Sequence, residues 1–289
     1  MHPSYRLLDV GLEEKLERFG DYVVVRPAPA ATGQRSVPRE WAAFQARYDH
    51  RTGWEVHAPL PSPWLVWAND IAHELGLGAA GQVGYFPEQE ELRKRIAEKV
   101  AQRHRPAADP LRVLNLFAST GGSTIAAARA GAHVTHVDSQ RAAVRTARCN
   151  AERNAIPEDA IRWIEEDARR WVEREWRRGS RYDAVILDPP SFGRGPASQP
   201  WKIDRDLHSL LAGCAALLEK SPSPFVLCTA HTEGLTAEVL RNQVARVFLT
   251  AEGTTEAMGT TEAGDLTLEA ESGASLPSGF FAFYDRLDS

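Results

Sequence analysis

Residues 113–122, with the sequence VLNLFASTGG, constrain the fold more than any other part of the chain. The largely apolar first half predicts a short buried strand, and the small residues after it predict a tight turn. Helix-forming residues follow from Ser123 onward. A strand, a glycine turn and a helix bring a ligand close to backbone amides, because a Cβ at Gly121 or Gly122 would block the approach. The segment therefore predicts an α/β domain with a ligand site at this turn.

Three further apolar runs each lead into an acidic residue. Residues 132–138 end at Asp138, residues 161–164 are followed by the acids 165–167, and residues 182–187 are followed by Asp188. The carboxyl ends of parallel strands meet at the edge of the sheet where open α/β sheets bind ligands. Asp138 follows the glycine turn by about 20 residues, the spacing of a carboxylate that accepts both hydroxyls of a ribose. These runs predict a doubly wound, Rossmann-like sheet that binds a nucleoside.

Four motifs, NLFASTGG, HVD, EEDA and ILDPPSFGRG, occur in this order. Together they resemble class I S-adenosylmethionine-dependent methyltransferases, and within that class the branch that modifies large-subunit ribosomal RNA. The first and fourth motifs of that branch read NLF-x-x-TG and DPP-x-F. The resemblance covers residues 84 to about 235, which is about half of the chain. It implies a seven-stranded sheet closed by an antiparallel hairpin, for which residues 265–269 and 279–286 are the candidates. Residues 250–264 are predicted to be a surface loop.

Each part of S-adenosylmethionine suits a different partner. The backbone of residues 115–122 suits the amino acid end, Asp138 suits the ribose, and Asp167 with the backbone of Ala168 suits the adenine amine. The alternative for a single acid at a strand end is a helix cap, and Glu166 is the fallback for Asp167. In related RNA methyltransferases an element similar to residues 86–89 borders the cofactor pocket, although these residues also fit a capped helix N-terminus. The predicted cofactor residues are Phe86, Gln89, Asn115, Phe117, Thr120, Gly121, Asp138, Asp167, Ala168 and Asp188.

The segment 188–192, DPPSF, is predicted to hold the methyl acceptor, with Asp188, Pro189, Pro190 and Phe192 as the catalytic residues. Methyl transfer is an in-line displacement, so the enzyme chiefly aims an acceptor lone pair at the methyl carbon. Asp188 and the carbonyl of Pro189 can accept hydrogen bonds from a planar amine or amide, and Phe192 can stack on the ring that bears it. The alternative is a rigid strand exit without chemistry.

The fifth predicted strand, residues 224–230, lacks a cysteine where the cytosine-5 members of the branch carry their nucleophile. Aligning the strand ends places Thr232, or at best His231, at that position. Cys228 lies inside the apolar run and is predicted to be a core residue. The chain resembles the guanine-N7 members in this respect, so a base nitrogen is the predicted acceptor. His231 is a candidate for orienting substrate or accepting a proton, and the alternative is a polar loop residue.

The 289 residues suffice for a large and a small domain. Residues 84–289 are predicted to form the methyltransferase domain. Residues 1–83 show no regular βαβ alternation and are predicted to form a smaller β-rich or mixed region, with its tryptophans in the core. The sequence predicts a cytoplasmic protein without a membrane partner, because no apolar run approaches a membrane span and no signal peptide is evident. No metal site is expected, and the oligomeric state is left open.

The net charge of −5 argues against a protein that binds nucleic acid without a partner. Residues 110–232 nevertheless hold 17 Lys and Arg against 14 Asp and Glu, so a basic side near the site stays open. An RNA substrate, ribosomal by resemblance, is the first prediction. The alternatives are a small planar metabolite, a protein amide, or a relative that binds cofactor or RNA without catalysis. A nicotinamide oxidoreductase is disfavoured because the turn lacks G-x-G-x-x-G.

Overall fold

The computed structural model describes residues 2, 4–103, 109–193, 200–250 and 259–286. The chain divides into two units, Met1–Glu91 with Leu266–Ser278, and Leu92–Asp265 with Gly279–Ser289. The first unit therefore takes in a hairpin tip that the sequence prediction gave to the methyltransferase domain. The predicted boundary between residues 83 and 84, as a division between functional domains, stays a prediction.

The first unit is built from β-structure, as expected for the smaller N-terminal region. Its main sheet has the strand order β1-β2-β3-β4-β5, in which only the pairing of β3 with β4 is parallel. A separate hairpin, β6-β7, packs Trp64 against Phe19 in one core, and Trp41 is buried in another. The strands are β1 (Tyr5–Gly11), β2 (Glu14–Phe19), β3 (Tyr22–Pro27), β4 (Ala46–Asp49), β5 (Gly53–Val56), β6 (Trp64–Ala68) and β7 (Ile71–Leu75).

The second unit contains the predicted α/β sheet. The strands that begin after residue 110 are β8 (Arg112–Leu116), β9 (His133–Asp138), β10 (Ile161–Glu165), β11 (Ala184–Leu187), β12 (Phe192–Gly193), β13 (Trp201–Lys202), β14 (Phe225–Ala230), β15 (Thr260–Glu269) and β16 (Ser275–Asp285). The helices are α1 (Glu90–Gln102), α2 (Gly122–Arg129), α3 (Arg141–Arg153), α4 (Ala168–Arg177), α5 (Ile203–Leu218) and α6 (Ala237–Thr250).

Seven strands form one sheet in the order β10-β9-β8-β11-β14-β16-β15. The first five are parallel, and β16 pairs antiparallel with β14. The seven-stranded methyltransferase fold is thereby confirmed. The hairpin strands are longer than predicted, and β15 begins at Thr260. The predicted loop over residues 250–264 is therefore wrong for its last part, while residues 251–258 lie outside the described residues.

The central parallel strands β8, β11 and β14 are almost completely buried, which explains why they are largely apolar in the sequence, whereas the edge strand β10 is only partly buried. Leu116, Leu187 and Leu207 are fully buried in one cluster that α5 and α6 complete. Burying one such side chain stabilises the fold by roughly 1.5–3 kcal/mol. The chain reverses its direction across the sheet between β8 and β11, which are neighbours with Leu116 opposite Leu187. The glycine turn after β8 and the Asp-Pro-Pro segment after β11 consequently begin side by side, at the switch point where such sheets bind ligands.

Candidate active site

The turn after β8 has a strained, alternating backbone. Phe117, Ser119 and Gly121 all adopt left-handed conformations, with φ of 53°, 48° and 85°. The turn is held by hydrogen bonds from the Ala118 amide to the Val137 carbonyl and from the Gly121 amide to the Ala118 carbonyl. A left-handed non-glycine residue costs of order 1–3 kcal/mol, and such strain concentrates at ligand sites. The sequence predicted the turn but not the conformations of Phe117 and Ser119.

Gly121 is required by the protein's own packing and by its positive φ, whereas Gly122 lies against the end of the flexible Arg93 side chain. A Cβ at Gly121 would lie 2.9 Å from the Ala147 Cβ on α3, and one at Gly122 would lie 2.7 Å from the Arg93 Cζ on α1. The sequence analysis attributed both glycines to the approach of a ligand, whereas the contacts show that α3 and Arg93 already occupy these directions. The carbonyl of Thr120 accepts a hydrogen bond from Asn150 Nδ2 at 3.0 Å, which ties the turn to α3 a second time.

Arg93 is a site residue that the sequence analysis missed. It is nearly buried on the same face of α1 as Leu92, Ile96 and Val100. Its guanidinium lies against Gly122 and helps to lower the pKa of Asp188. An arginine among the buried positions of an amphipathic helix is the signal that could have found it, because arginine is rarely buried without a partner.

Asn115 is a predicted cofactor residue whose side chain is used inside the fold. Its Nδ2 donates to Thr124 Oγ1 at 2.8 Å, and that hydroxyl lies 2.9 Å from His136 Nδ1. Burial, together with the charge of Arg148, lowers the pKa of His136 to about 3, so the ring is neutral. The chain of three side chains joins β8, α2 and β9, and the backbone of Asn115 lies between the paired strands β9 and β11. The cofactor role of Asn115 stays a prediction.

Asp138 lies at the end of β9, beside the turn. Its Oδ2 accepts the Ser119 amide at 2.9 Å and its Oδ1 accepts the Gln140 amide at 2.8 Å. Burial raises the pKa of Asp138, although the two backbone N–H groups favour the charged form. Because an ionised carboxylate has about four acceptor positions, these two bonds leave capacity for a pair of hydroxyl donors. The geometry fits the predicted ribose contact.

Asp167 caps a helix, which the sequence analysis gave as the alternative to a cofactor contact. It is the N-cap of α4, and its Oδ1 accepts the amides of Arg169 at 3.0 Å and Arg170 at 3.2 Å. Its neighbour Ala168 is buried in the first turn of the helix. The second carboxylate oxygen lies 3.5 Å from the Arg169 Nη2. The adenine contact of Asp167 and Ala168 stays a prediction.

Asp188 is held by two donors on one oxygen. Thr229 Oγ1 donates to Oδ1 at 2.6 Å, and His231 Nε2 lies 3.2 Å from the same oxygen. Burial alone would raise the pKa of Asp188, but His231, Thr229 and Arg93 outweigh it, so the pKa lies below its ordinary value. Solvent still reaches 37% of the side chain. Asp188 is therefore an ionised, oriented and accessible acceptor.

The segment after Asp188 is fixed on both sides. Trp201 Nε1 donates to the Pro190 carbonyl at 2.6 Å, and Ser191 Oγ lies 2.8 Å from Thr232 Oγ1. The Trp201 ring also packs against Phe117, with centroids 5.3 Å apart. Phe192 follows with 71% of its surface exposed. The segments that follow β8, β11 and β14 thus form one connected unit in which an aromatic face is open to solvent.

A family model for S-adenosylmethionine-dependent methyltransferases matches residues 12–246. The chain belongs to this family. It is 30% identical to the SAM-dependent methyltransferase from Agrobacterium tumefaciens, whose crystal structure it matches with a TM-score of 0.87 over 99% of this chain and 91% of that one. The cofactor of the family is S-adenosylmethionine, as predicted.

Curated relatives of this methyltransferase carry ribosomal RNA in their names. The chain is 30% identical to the ribosomal RNA large subunit methyltransferase I of Photobacterium profundum, over 65% of this chain and 45% of that protein. It is 31% identical to the ribosomal RNA large subunit methyltransferase K/L of Magnetococcus marinus, over 74% of this chain and 32% of that protein. With four similar relatives included, the chain spans only 27% to 45% of their lengths.

The methyltransferase has no thiol at the carboxyl edge of β14. Cys228 and Cys214 are buried, and burial raises the pKa of Cys214 to about 12 and that of Cys228 well above its usual range. Cys149 lies within α3. The position predicted to correspond to a catalytic cysteine holds Thr232, whose hydroxyl is engaged with Ser191.

Phe86 and Gln89 belong to the first unit. Gln89 is buried at the end of a short 3₁₀ helix, Pro87–Gln89, that leads directly into α1, and its amide donates to the Phe86 carbonyl at 3.2 Å. Residues 86–89 therefore form the start of a helix, which the sequence analysis gave as the alternative to a border of the cofactor pocket. The cofactor role of Phe86 and Gln89 stays a prediction. In the described part of the chain, no helix has the length and apolarity to cross a membrane. The same residues contain no cluster of three His, Cys, Asp or Glu suited to a metal ion.

Proposed function

We propose that this methyltransferase transfers the methyl group of S-adenosylmethionine to a base nitrogen of RNA, without a cysteine nucleophile. The observation that carries the proposal is Asp188, an ionised carboxylate fixed by Thr229 and His231 at the start of a segment that ends in the exposed ring of Phe192. The names of the relatives support large-subunit ribosomal RNA as the substrate class. Such a substrate is consistent with the cytoplasmic location that the sequence predicts.

The cofactor side of the proposal rests on charge and hydrogen-bond capacity. Asp138 would accept the ribose hydroxyls, and the left-handed turn would present backbone amides to the amino acid end. Arg93 places a guanidinium beside Gly122, where it would attract the carboxylate of that end. Bound there, S-adenosylmethionine supplies an electrophilic methyl carbon on a sulfonium.

The acceptor side aims a nitrogen at that carbon. Asp188 and the Pro189 carbonyl would accept hydrogen bonds from donors on the edge of the base, and Phe192 would stack on its face. A bond forms between the nitrogen and the methyl carbon while the carbon–sulfur bond breaks, and the electron pair goes to sulfur. Because alignment supplies most of the rate in such a displacement, the fixed segment after β11 is the main catalytic device.

The test is a tritiated-methyl assay with three acceptors: unmodified large-subunit ribosomal RNA, a mixture of nucleosides, and protein. We expect label in the RNA, and a roughly hundredfold lower kcat for Asp188→Asn with a Kd for S-adenosylmethionine that changes less than about threefold. Label in nucleosides or protein but not in RNA would contradict the RNA substrate. An active Asp188→Asn variant would contradict the role of Asp188.

A further inference from the structure

The edge of the sheet formed by β10 carries an excess of arginine. Residues 141–181, which contain α3, β10 and α4, hold 11 arginines against eight acidic residues, although the whole chain has a net charge of −5. β10 is the terminal strand of the sheet, so nothing in the sheet covers its outer side. The excess positive charge therefore lies along one side of the methyltransferase unit.

Three of these arginines, Arg162, Arg174 and Arg178, form a cluster around the ring of Trp171 and the buried Glu175. The Nη1 atoms of Arg162 and Arg178 lie 3.8 Å and 3.4 Å from Glu175, a glutamate that is almost completely buried. The guanidinium groups of Arg162 and Arg174 stack on the ring of Trp171, at 4.9 Å and 4.8 Å from its ring. The stacking and the shared carboxylate hold the three cations in fixed positions.

The charges of the arginine cluster are only partly neutralised. Arg174 also pairs with Glu166 at 3.2 Å, so three guanidinium groups share two carboxylates. Solvent reaches 48% of the Arg162 side chain and 57% of the Arg178 side chain. Guanidinium groups that are fixed, exposed and in excess match the geometry of phosphate oxygens.

The exposed Trp176 on the same helix does not belong to the arginine cluster. It lies two positions before Arg178, which places the two side chains on different sides of α4, and it lines a cavity with Ser209 and Leu210 of α5. The arginine cluster therefore offers cationic groups without a neighbouring stacking surface, which suits contacts to the phosphate backbone of RNA.

We propose that the arginine cluster binds backbone phosphates of the RNA substrate. This inference rests on the RNA substrate proposed above and adds a binding surface outside the catalytic residues. The contacts would give affinity and orientation but would not read sequence, because phosphates carry no sequence information.

The first unit provides a matched control. Arg35 and Arg47 also share one glutamate, Glu14, and Arg35 stacks on the ring of Trp41 at 3.9 Å. That pair belongs to a unit in which residues 1–91 and 266–278 hold eight Lys and Arg against 15 Asp and Glu. The local arrangement is the same, and the surrounding charge has the opposite sign.

The experiment measures the Kd of a fluorescein-labelled, unmodified fragment of large-subunit ribosomal RNA by anisotropy over a range of salt concentrations. For the double variant Arg162→Gln/Arg178→Gln we expect the slope of log Kd against log salt to fall by about 1.4–1.8, because each phosphate contact contributes about 0.7–0.9. Arg35→Gln/Arg47→Gln should leave the slope unchanged.

Calorimetric titration with S-adenosylmethionine shows that each variant is folded. If the double variant fails this check, the single variant Arg178→Gln, which leaves Arg162 on Glu175, should lower the slope by about half as much. If the wild type binds RNA but neither Arg162→Gln/Arg178→Gln nor Arg178→Gln lowers the slope, the proposed role of the arginine cluster is overturned and the RNA substrate is not. Failure of the wild type to bind or methylate RNA would overturn the substrate proposal and the arginine cluster with it.

Discussion

Two carboxylates, Glu17 in the first unit and Asp188 in the second, both have a lowered pKa and serve different ends. Glu17 is fully buried, and both of its oxygens are engaged, by Arg26 and by the Tyr5 hydroxyl. Asp188 accepts from Thr229 and lies beside His231, and it is 37% exposed. In both residues the neighbouring charges and hydrogen bonds outweigh burial and lower the pKa. Accessibility, and not the pKa shift, therefore distinguishes a structural carboxylate from one that can bind a substrate.

The largest expected effect is on stability. In Glu17→Gln the buried Arg26 loses its counter-charge, and removing one member of a buried pair costs about 3–5 kcal/mol. Asp188→Asn should change the free energy of unfolding by less than about 1 kcal/mol, since its surroundings are open to water. Chemical denaturation of both variants measures the contrast. Equal losses would mean that the two carboxylates are equivalent parts of the fold.

The same comparison has a pH dependence. The pKa of Glu17 is lowered to about 2 by Arg26 and Lys15 despite burial, from an ordinary value of 4.5. A depressed carboxyl pKa gives stability that is complete above the unfolded value and is lost as the pH falls. The wild type should therefore lose about 3 kcal/mol of unfolding free energy between pH 4.5 and 2, over and above the loss in Glu17→Gln. If the unfolding free energies of the wild type and of Glu17→Gln fell equally as the pH is lowered, Glu17 would not be ionised in the native state.

Asp138 is an intermediate case, because backbone amides and not cations hold it. Asp138→Ala removes the predicted ribose acceptors and should weaken S-adenosylmethionine binding by more than about tenfold, or ~1.4 kcal/mol. Isothermal titration calorimetry measures this effect beside Asp188→Asn, whose affinity should stay unchanged because Asp188 is assigned to the acceptor side, although the sequence analysis also predicted a cofactor contact for it. A loss in Asp188→Asn but not in Asp138→Ala would reverse the assignment of cofactor and acceptor residues.

The smallest expected effect is on kcat, through the hydrogen bond that holds the segment 188–192. Trp201→Phe keeps the ring beside Phe117 but removes the hydrogen bond to the Pro190 carbonyl, a bond worth roughly 1 kcal/mol. We expect kcat to fall by about fivefold with the affinity for S-adenosylmethionine unchanged, because the bond orients the acceptor. A change in cofactor affinity alone would assign Trp201 to the cofactor side through Phe117.

The sequence was sufficient for the sheet and for the positions of the acids. Buried parallel strands are largely apolar, so β8, β11 and β14 are evident as runs and β9 and β10 as shorter ones with polar residues, and Asp138 and Asp188 follow from the strand ends. The strand β15 was cut short because its first residues, from Thr260, are mostly polar and exposed, which resembles a loop. The local pattern of apolar residues reveals a strand only where at least one face of that strand is buried.

The supports of the site could not be predicted. Arg93 meets Gly122, Trp201 meets Pro190 and Thr229 meets Asp188 through contacts between distant segments, and no local periodicity encodes which side chains will meet. The left-handed backbone of Phe117 and Ser119 is likewise imposed by the surrounding fold, because neither residue favours it. Asp167 could be located from the sequence but its role could not be decided, since an acid between a strand and a helix fits both a helix cap and a ligand contact.

The most direct test of the account is the chemical identity of the methylated product. Unmodified large-subunit ribosomal RNA is incubated with the wild-type protein and S-adenosylmethionine, digested to nucleosides, and analysed by mass spectrometry against methylated standards. The account predicts a nucleoside that carries its new methyl group on a base nitrogen, and loss of that product with Asp188→Asn. Formation of 5-methylcytosine would contradict it, because the described site offers no cysteine at the edge of β14 to activate that carbon.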